Sequence, residues 1–389
     1  MGYLKRIGPK RYRYAYEAPR VKGKRHQLTG TFYDLTKTEA EAKLAKLEAE
    51  AHDAEHVCNP NLTFGELLAD FMAQKKPVLA VSTFERYEVY GRAYLQAAFG
   101  SLKVRDLRQG LLLEAYAKWS ATGSSGKPIS GRSVRHLHDL VRCVLNFGIR
   151  RDLVARNVAA QIAPEDLPKA PKPEPKALDE AETARLLEAA RNPSLRAKRS
   201  GGPTAEPWFA PAVAFAVYSG ARRGEVLGLR WSDLGGNSVT IRRSLARTNS
   251  LGLFLKEPKN GKARTIALPS ALVTILEQHL KEQQRERDVL GAGYKDDDLV
   301  FARPDGSLVN PRNFGTRVVE LAERAKVKAI TLHCLRDTHA SLLAKKGVPL
   351  EVVSKRLGHA DIRVTAERYL HVYQERDTQA ASMLDSLCG

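Results

Sequence analysis

His333-Cys-Leu-Arg336-Asp-Thr-His-Ala-Ser341, followed by Leu357-Gly-His359 and then Tyr369-Leu-His371, is the stretch on which the reading of this chain turns. His333 and Arg336 are spaced i, i+3, so one helix presents an imidazole and a guanidinium on a shared face. Upstream, residues 207–217 are mostly apolar and read as a buried helix. Ser219-Gly-Ala-Arg222-Arg-Gly-Glu225 follows, where Gly220 breaks that helix and Arg222 and Glu225 again stand i, i+3 on a new one. An arginine held by an internal glutamate keeps a fixed orientation toward an anion, although an ordinary Arg–Glu helix pair explains that segment taken alone. Residues 238–244 and 264–268 alternate as strands around Lys256-Glu-Pro-Lys259-Asn-Gly261-Lys, which puts Lys259 near the tip of a hairpin arm, either to deliver a proton to a departing oxygen or as one of several solvent-facing lysines with Lys256 and Lys262.

Taken together, Tyr369, Arg222, Lys259, His333, Arg336 and His359 supply a nucleophile, two guanidinium forks, an ammonium and two imidazoles. That set meets the needs of attack on a phosphodiester where no metal ion is supplied. A tyrosine with its ordinary pKa of ~10 needs a base or a cationic setting to attack at neutral pH. Tyr373 is the rival nucleophile. A zinc site from His333, His339, His359 and His371 has no H-E-x-x-H pattern and no cysteine at ligand spacing. Asp296, Asp297 and Asp298 read as a solvated loop rather than as ligands. No metal and no cofactor is expected.

The remainder of the chain explains how such a centre would meet its substrate. Its 389 residues carry 63 Lys+Arg against 44 Asp+Glu, a net charge of +19, so a polyanion is the natural partner. The excess is local: residues 1–30 hold nine Lys/Arg (Lys5, Arg6, Lys10, Arg11, Arg13, Arg20, Lys22, Lys24, Arg25) and one acid, Glu17. Alternation along Arg11-Tyr-Arg-Tyr-Ala-Tyr-Glu17 puts three tyrosines on one strand face and Arg11 and Arg13 on the other. A basic turn at Lys22, Lys24 and Arg25, a returning strand over residues 27–32 and a helix over 36–53 complete a small sheet that could enter a major groove; the alternative is a basic tail ordered only by its helix.

From Leu62 helices follow, with capping-box spacing at Thr63/Glu66 and Ser82/Glu85, a third helix over 107–120 and a fourth over 130–150. In the fourth, Val134, Leu137, Val141, Val144 and Leu145 form an apolar stripe. Arg132, Arg135 and Arg142 fall outside it as a basic or merely solvated face. Cys143 is expected in the core, and the four widely separated cysteines suit reduced thiols. Pro164, Pro168, Pro171, Pro173 and Pro175 mark an extended linker, after which Asp179 caps a new helix. With neither a membrane span nor a signal core, a cytoplasmic protein is expected.

In its ordered motifs the chain resembles the tyrosine recombinase family, specifically phage-type integrases: S-G-A-R-x-x-E, the P-K hairpin, H-x-L-R, L-G-H, and a tyrosine ten residues after that last histidine. The resemblance implies a multidomain protein. A small α+β arm-binding domain (1–56, three strands and a helix) precedes an all-α, SAM-like core-binding domain (60–163). A proline-rich linker (164–177) then leads to a mainly α catalytic domain with a small antiparallel β-sheet (178–389), the DNA breaking-rejoining fold.

It implies that Arg222 and Arg336 clamp the non-bridging phosphate oxygens and that Lys259 protonates the 5′ leaving oxygen. His333 assists proton movement at the nucleophile, His359 donates to the phosphate, Glu225 supports Arg222, and Tyr369 forms a 3′-phosphotyrosyl bond. The implied activity is site-specific integration, and excision, of a phage or integrative element without metal or ATP. The implied partners are double-stranded attachment-site DNA, a homo-tetramer on that DNA, an excision factor and a host DNA-bending protein, in the cytoplasm of a bacterial host at its nucleoid. Residues 375–387 are a candidate helix docking on a neighbour. Ser219, Asp337 and Asn260 depart from the residues common in the family, and residues 191–206 have no assigned role. A type IB topoisomerase, a non-cutting DNA-binding regulator and a metal-dependent nuclease are the alternatives.

Overall fold

A computed structural model describes residues 3–21, 24–55, 59, 61–124, 126–170, 176–192, 206–258 and 261–374. The chain divides into two units, Met1–Lys172 and Pro173–Gly389, the boundary falling inside the proline-rich segment. Among the described residues no helix is long and apolar enough to cross a membrane.

The first unit opens with β1 (Tyr3–Gly8), β2 (Arg11–Val21) and β3 (Lys24–Tyr33), an antiparallel sheet in which Tyr12 pairs with Phe32. Helix α1 (Lys37–Glu55) covers one face, burying Tyr12, Phe32, Ala40 and Leu44, while Arg11 and Arg13 stay exposed. Helices α2 (Phe64–Lys75), α3 (Val81–Tyr90), α4 (Gln96–Phe99), α5 (Gln109–Thr122) and α6 (Gly131–Ile149) follow around a second core that includes Phe64, Phe71, Tyr116 and Trp119. Thr63 and Glu66 form the capping box at α2, Glu66 Oε2 accepting from Thr63 N at 2.8 Å. The similar Ser82/Glu85 spacing forms none: α3 starts two residues earlier with Ala80 in the capping position, so Ser82 is already inside the first turn.

Helix α6 starts after Ser130 and buries Val134, Leu137, Val141, Val144 and Leu145. Cys143 is exposed rather than in the core, because nine residues beyond Val134 lie roughly 180° around a helix. Arg135 also departs from expectation. Its guanidinium donates to the carbonyls of Pro168 (2.9 Å), Pro164 (3.2 Å) and Leu167 (3.5 Å), so it is spent on the chain itself rather than offered on a basic face. Carbonyls in a proline-broken segment have no regular ladder to join and need such a donor. Residues 164–168 are therefore packed against α6, with Leu167 in the core, and are not extended linker.

The second unit begins with α7 (Glu180–Arg191), whose Asp179/Glu182 capping box matches the local sequence signal. The apolar α8 (Phe209–Ser219) runs through the core, and α9 (Arg223–Leu227) turns away from it. Strands β4 (Leu234–Gly235), β5 (Ser238–Ile241) and β8 (Arg264–Ala267) make one antiparallel sheet, and β6 (Ser244–Thr248) with β7 (Gly252–Lys256) makes a separate hairpin. Residues 238–244 are thus two strand segments rather than one. The segment after Lys256 connects β7 to β8 instead of forming the tip of a β5–β8 arm. Helices α10 (Ser270–Leu290), α11 (Pro311–Arg324), α12 (Leu332–Lys345), α13 (Leu350–Leu357) and α14 (Ile362–Gln374) complete the unit. In the acidic run before Leu299, Asp298 is tied in, its carboxylate accepting from Ser232 N at 3.2 Å.

Candidate active site

The turn after α8 positions the first arginine. Gly220 has φ +64°, and a Cβ there would stand 2.6 Å from the His339 ring, so the sharp turn needs glycine twice over. Arg222 then precedes α9 as its N-cap, and Glu225, 1 % exposed, accepts from Arg222 N at 2.8 Å and from Arg222 Nη1 at 3.0 Å. Arg264 from β8 grips the same carboxylate with both Nη atoms, at 3.1 and 2.6 Å. Burial pushes the Glu225 carboxyl up, but the bonds and charges of Arg264 and Arg222 outweigh it and leave the pKa below the ordinary value. Arg264 was invisible in the sequence, being one basic residue at the start of a strand with its partner 39 residues away.

Arg336, 3 % exposed on α12, donates Nη1 to Gly220 O at 2.7 Å and Nη2 to Leu357 O at 2.5 Å. Arg222 Nη2 reaches Gly358 O at 3.2 Å. Gly358 is left-handed, φ +66°, and a Cβ on it would meet Arg264 Cδ at 2.9 Å. Two glycine turns therefore supply carbonyls that fix two arginines. Burial, and then the neighbouring Arg222, lower the Arg336 pKa. A guanidinium nonetheless keeps its proton, so the cluster favours an incoming anion.

His359 shares a 2.7 Å hydrogen bond between Nδ1 and Thr365 Oγ1. Burial first, then Arg336 and Arg222, push it down to about 4, so at neutral pH it is an uncharged imidazole with Nε2 left for another partner. His333 lies on α12 one turn before Asp337; desolvation lowers its pKa, and Asp337 opposes that. His339, one of the four histidines of the zinc pattern, is taken up by the Val217 carbonyl at 2.9 Å. Among the described residues no three His, Cys, Asp or Glu side chains group as metal ligands.

Tyr369 is 1 % exposed on α14, and its hydroxyl donates to Asp337 Oδ1 at 2.7 Å. Arg368 Nη2 holds the other oxygen, Oδ2, at 2.9 Å. Burial raises the Tyr369 pKa, the Asp337 carboxylate raises it further, and Arg368 and Arg336 pull the other way. In the sequence Asp337 stands out only as a departure from the residue common in the family; its one further signal is its place one turn past His333. Lys259 lies outside the described residues, as does the side chain of Tyr373.

Of the basic residues proposed to meet DNA, Arg11, Arg13, Arg132 and Arg142 are exposed, Arg142 lying 3.9 Å from Asp139. Lys22 and the side chains of Lys24 and Arg25 lie outside the described residues.

The model of the phage integrase family matches residues 176–376. A XerC-like tyrosine recombinase of Caldanaerobacter subterraneus is 25% identical over 381 residues, spanning 92% of this chain and 91% of its own length. An integrase of Streptomyces ambofaciens is 27% identical over 350 residues, 86% of this chain and 82% of its own. Among solved structures, the Tn1549 transposon integrase in complex with transposon right end DNA shares the fold, with a TM-score of 0.67 at 18% identity over 84% of this chain and 100% of that one.

Proposed function

This chain belongs to the phage integrase family of tyrosine recombinases, enzymes that cleave and rejoin DNA, and from that premise we propose that it works through a 3′-phosphotyrosyl intermediate at Tyr369. The observation that carries the proposal is a buried tyrosine in the same helical unit as two arginines, Arg222 and Arg336, whose rear donors are fixed on backbone carbonyls. Arginines braced in this way meet phosphate oxygens without reorganising, which is how fixed cations stabilise a phosphorane-like transition state. Glu225 holds Arg222, His359 donates through Nε2, His333 moves protons near the nucleophile, and Lys259 protonates the departing 5′ oxygen. Metal and ATP are not needed, because the phosphotyrosyl bond retains the energy of the bond it replaced.

Residues 1–56 take arm-type DNA, residues 60–163 the core site, and residues 178–389 carry out the chemistry. Arg11, Arg13, Arg132 and Arg142, with Lys22, Lys24 and Arg25, contribute phosphate contacts. The substrate is double-stranded attachment-site DNA in the cytoplasm of a bacterial host. A homo-tetramer acts there, and excision of the same phage or integrative element uses an excision factor and a DNA-bending host protein. Support for DNA as the partner comes from the family and from the likeness to an integrase solved on transposon-end DNA. The test is covalent trapping on a nicked site from the DNA flanking the gene. The parent protein forms an adduct, and Tyr369→Phe forms none while still shifting the same DNA in a gel; an adduct that survives the change sinks the assignment.

A further inference from the structure

The Tyr369 hydroxyl is hydrogen-bonded at 2.7 Å to a group that none of the roles above uses, the carboxylate of Asp337. Both residues are buried, at 1 % and 2 % exposure, and they belong to different helices, α14 and α12. The contact is not an accident of a loose surface side chain, since Arg368 fixes the second oxygen at 2.9 Å. A carboxylate that already accepts the hydroxyl hydrogen stands where that proton must go when the oxygen bonds to phosphorus.

We propose that Asp337 is a further catalytic residue, taking the Tyr369 proton during strand cleavage and returning it during rejoining. The inference rests on Tyr369 being the nucleophile. In cleavage the bond from Tyr369 Oη to phosphorus forms and the bond from phosphorus to O5′ breaks. The phenolic proton passes to Asp337 Oδ1, and the departing O5′ receives a proton from a separate acid, the role given to Lys259. Rejoining reverses each transfer, so the proton count of the protein is restored after one cycle.

Burial and the adjoining carboxylate keep the phenol protonated, so it does not ionise in advance and must lose its proton within the attack itself. A carboxylate already bonded to the hydroxyl can take that proton as the bond to phosphorus forms, and kinases use an aspartate for the same purpose on alcohols. The groups around Asp337 are Arg368 and Tyr369 from α14 and His333 and Arg336 on its own helix, with Arg222 adding its charge beyond His333. His333, i, i+4 from Asp337, is placed to pass a proton onward to solvent.

The test compares rates of adduct formation across pH for the parent, Asp337→Asn and Asp337→Glu. One substrate has the natural bridging oxygen; a second has sulfur at O5′, which departs without a proton. Asp337→Asn is expected to bind DNA as the parent does and to form adduct roughly 10²- to 10⁴-fold more slowly at neutral pH. Its rate should climb with hydroxide concentration, and the sulfur substrate should not rescue it. Asp337→Glu keeps a carboxylate and should show the parental pH profile at a reduced rate.

An Asn variant as fast as the parent, or faster, makes the bond a mere restraint on Tyr369 and overturns the proposal. So does a slow Asn variant with the parental pH profile. Should the Asn protein not fold, the Glu variant decides, and a hydroxide-dependent rise there overturns it. Tyr369→Phe runs alongside: an adduct surviving that change means the nucleophile is wrong, whereas adduct lost in Tyr369→Phe but parental in Asp337→Asn removes Asp337 alone.

Discussion

Each unit buries a tyrosine against a titratable partner on another helix, and the two pairs differ in their surroundings. Tyr116 on α5 is 1 % exposed and shares a 3.2 Å hydrogen bond with His138 Nδ1 on α6; Tyr369 on α14 is equally buried and donates to Asp337 at 2.7 Å. Burial raises the pKa of both phenols. Around Tyr116 stand rings, with Trp119 at 5.7 Å and the edge-on His138 ring also at 5.7 Å. The nearby arginines are engaged elsewhere, Arg135 on three carbonyls and Arg142 beside Asp139 in solvent. Around Tyr369 the charges of Arg336 and Arg368 bear on the phenol itself, and Arg336 is fixed from behind. A buried tyrosine with a base beside it can be a satisfied core residue; on the proposed reading, braced cations are what turn such a pair into a reactive site.

The sharpest way to break that comparison is to remove each hydroxyl in turn. Tyr369→Phe should lower adduct formation by roughly 10⁴-fold or more, with Tyr116→Phe forming adduct at the parental rate in the same assay. Next in size, Arg336→Lys should cost roughly 10²- to 10³-fold in adduct rate, because one ammonium cannot hold the Gly220 and Leu357 carbonyls and still face a phosphate.

A smaller effect separates the units by pH. His339 and His359 are both pushed down to about 4, with burial the first cause of each, and His279 and His333 are lowered as well, whereas among the described residues of the first unit His138 is the one lowered histidine. Folded-state values below the ordinary ~6.5 mean that the unfolded chain binds these protons first. The stability they contribute is complete above about pH 6.5 and is lost as pH falls through about 4. Calorimetry should show the second unit's transition dropping by roughly 5 °C or more between pH 7 and pH 4.5, ahead of the first unit's; equal shifts would contradict this. Smallest, Tyr116→Phe should destabilise the first unit by about 1–2 kcal/mol in urea melts, by leaving a buried His138 nitrogen without its partner.

What the sequence made legible follows a physical divide between local and distant partners. The capping boxes at Thr63 and Asp179, the apolar stripe of α6 and the break at Gly220 are settled within a few residues, so spacing alone reveals them. Where spacing failed, a distant partner or a shifted start decided. The acceptors of Arg135 lie 29 to 33 residues away, Arg264 finds Glu225 across 39, and Asp337 finds Tyr369 across 32. At Ser82 the helix simply began earlier than the motif suggested. Order and spacing named Tyr369, Arg222, Lys259, Arg336 and the two histidines as a set, but no periodicity announces which carboxylate the tyrosine touches.

The two glycine turns carry a last implication. Gly220 leads into Arg222 yet braces Arg336, while Leu357 and Gly358 offer adjacent carbonyls to both arginines and leave space for Arg264. A side chain at either glycine would therefore disturb both guanidiniums at once. Damage here is epistatic: once one turn is spoiled, a second lesion in the group has little left to remove, and combined variants should fall well short of the product of their single effects. In a drifting lineage these positions would be kept together or lost together, so the loop glycines would be as diagnostic of a working enzyme as the arginines they hold.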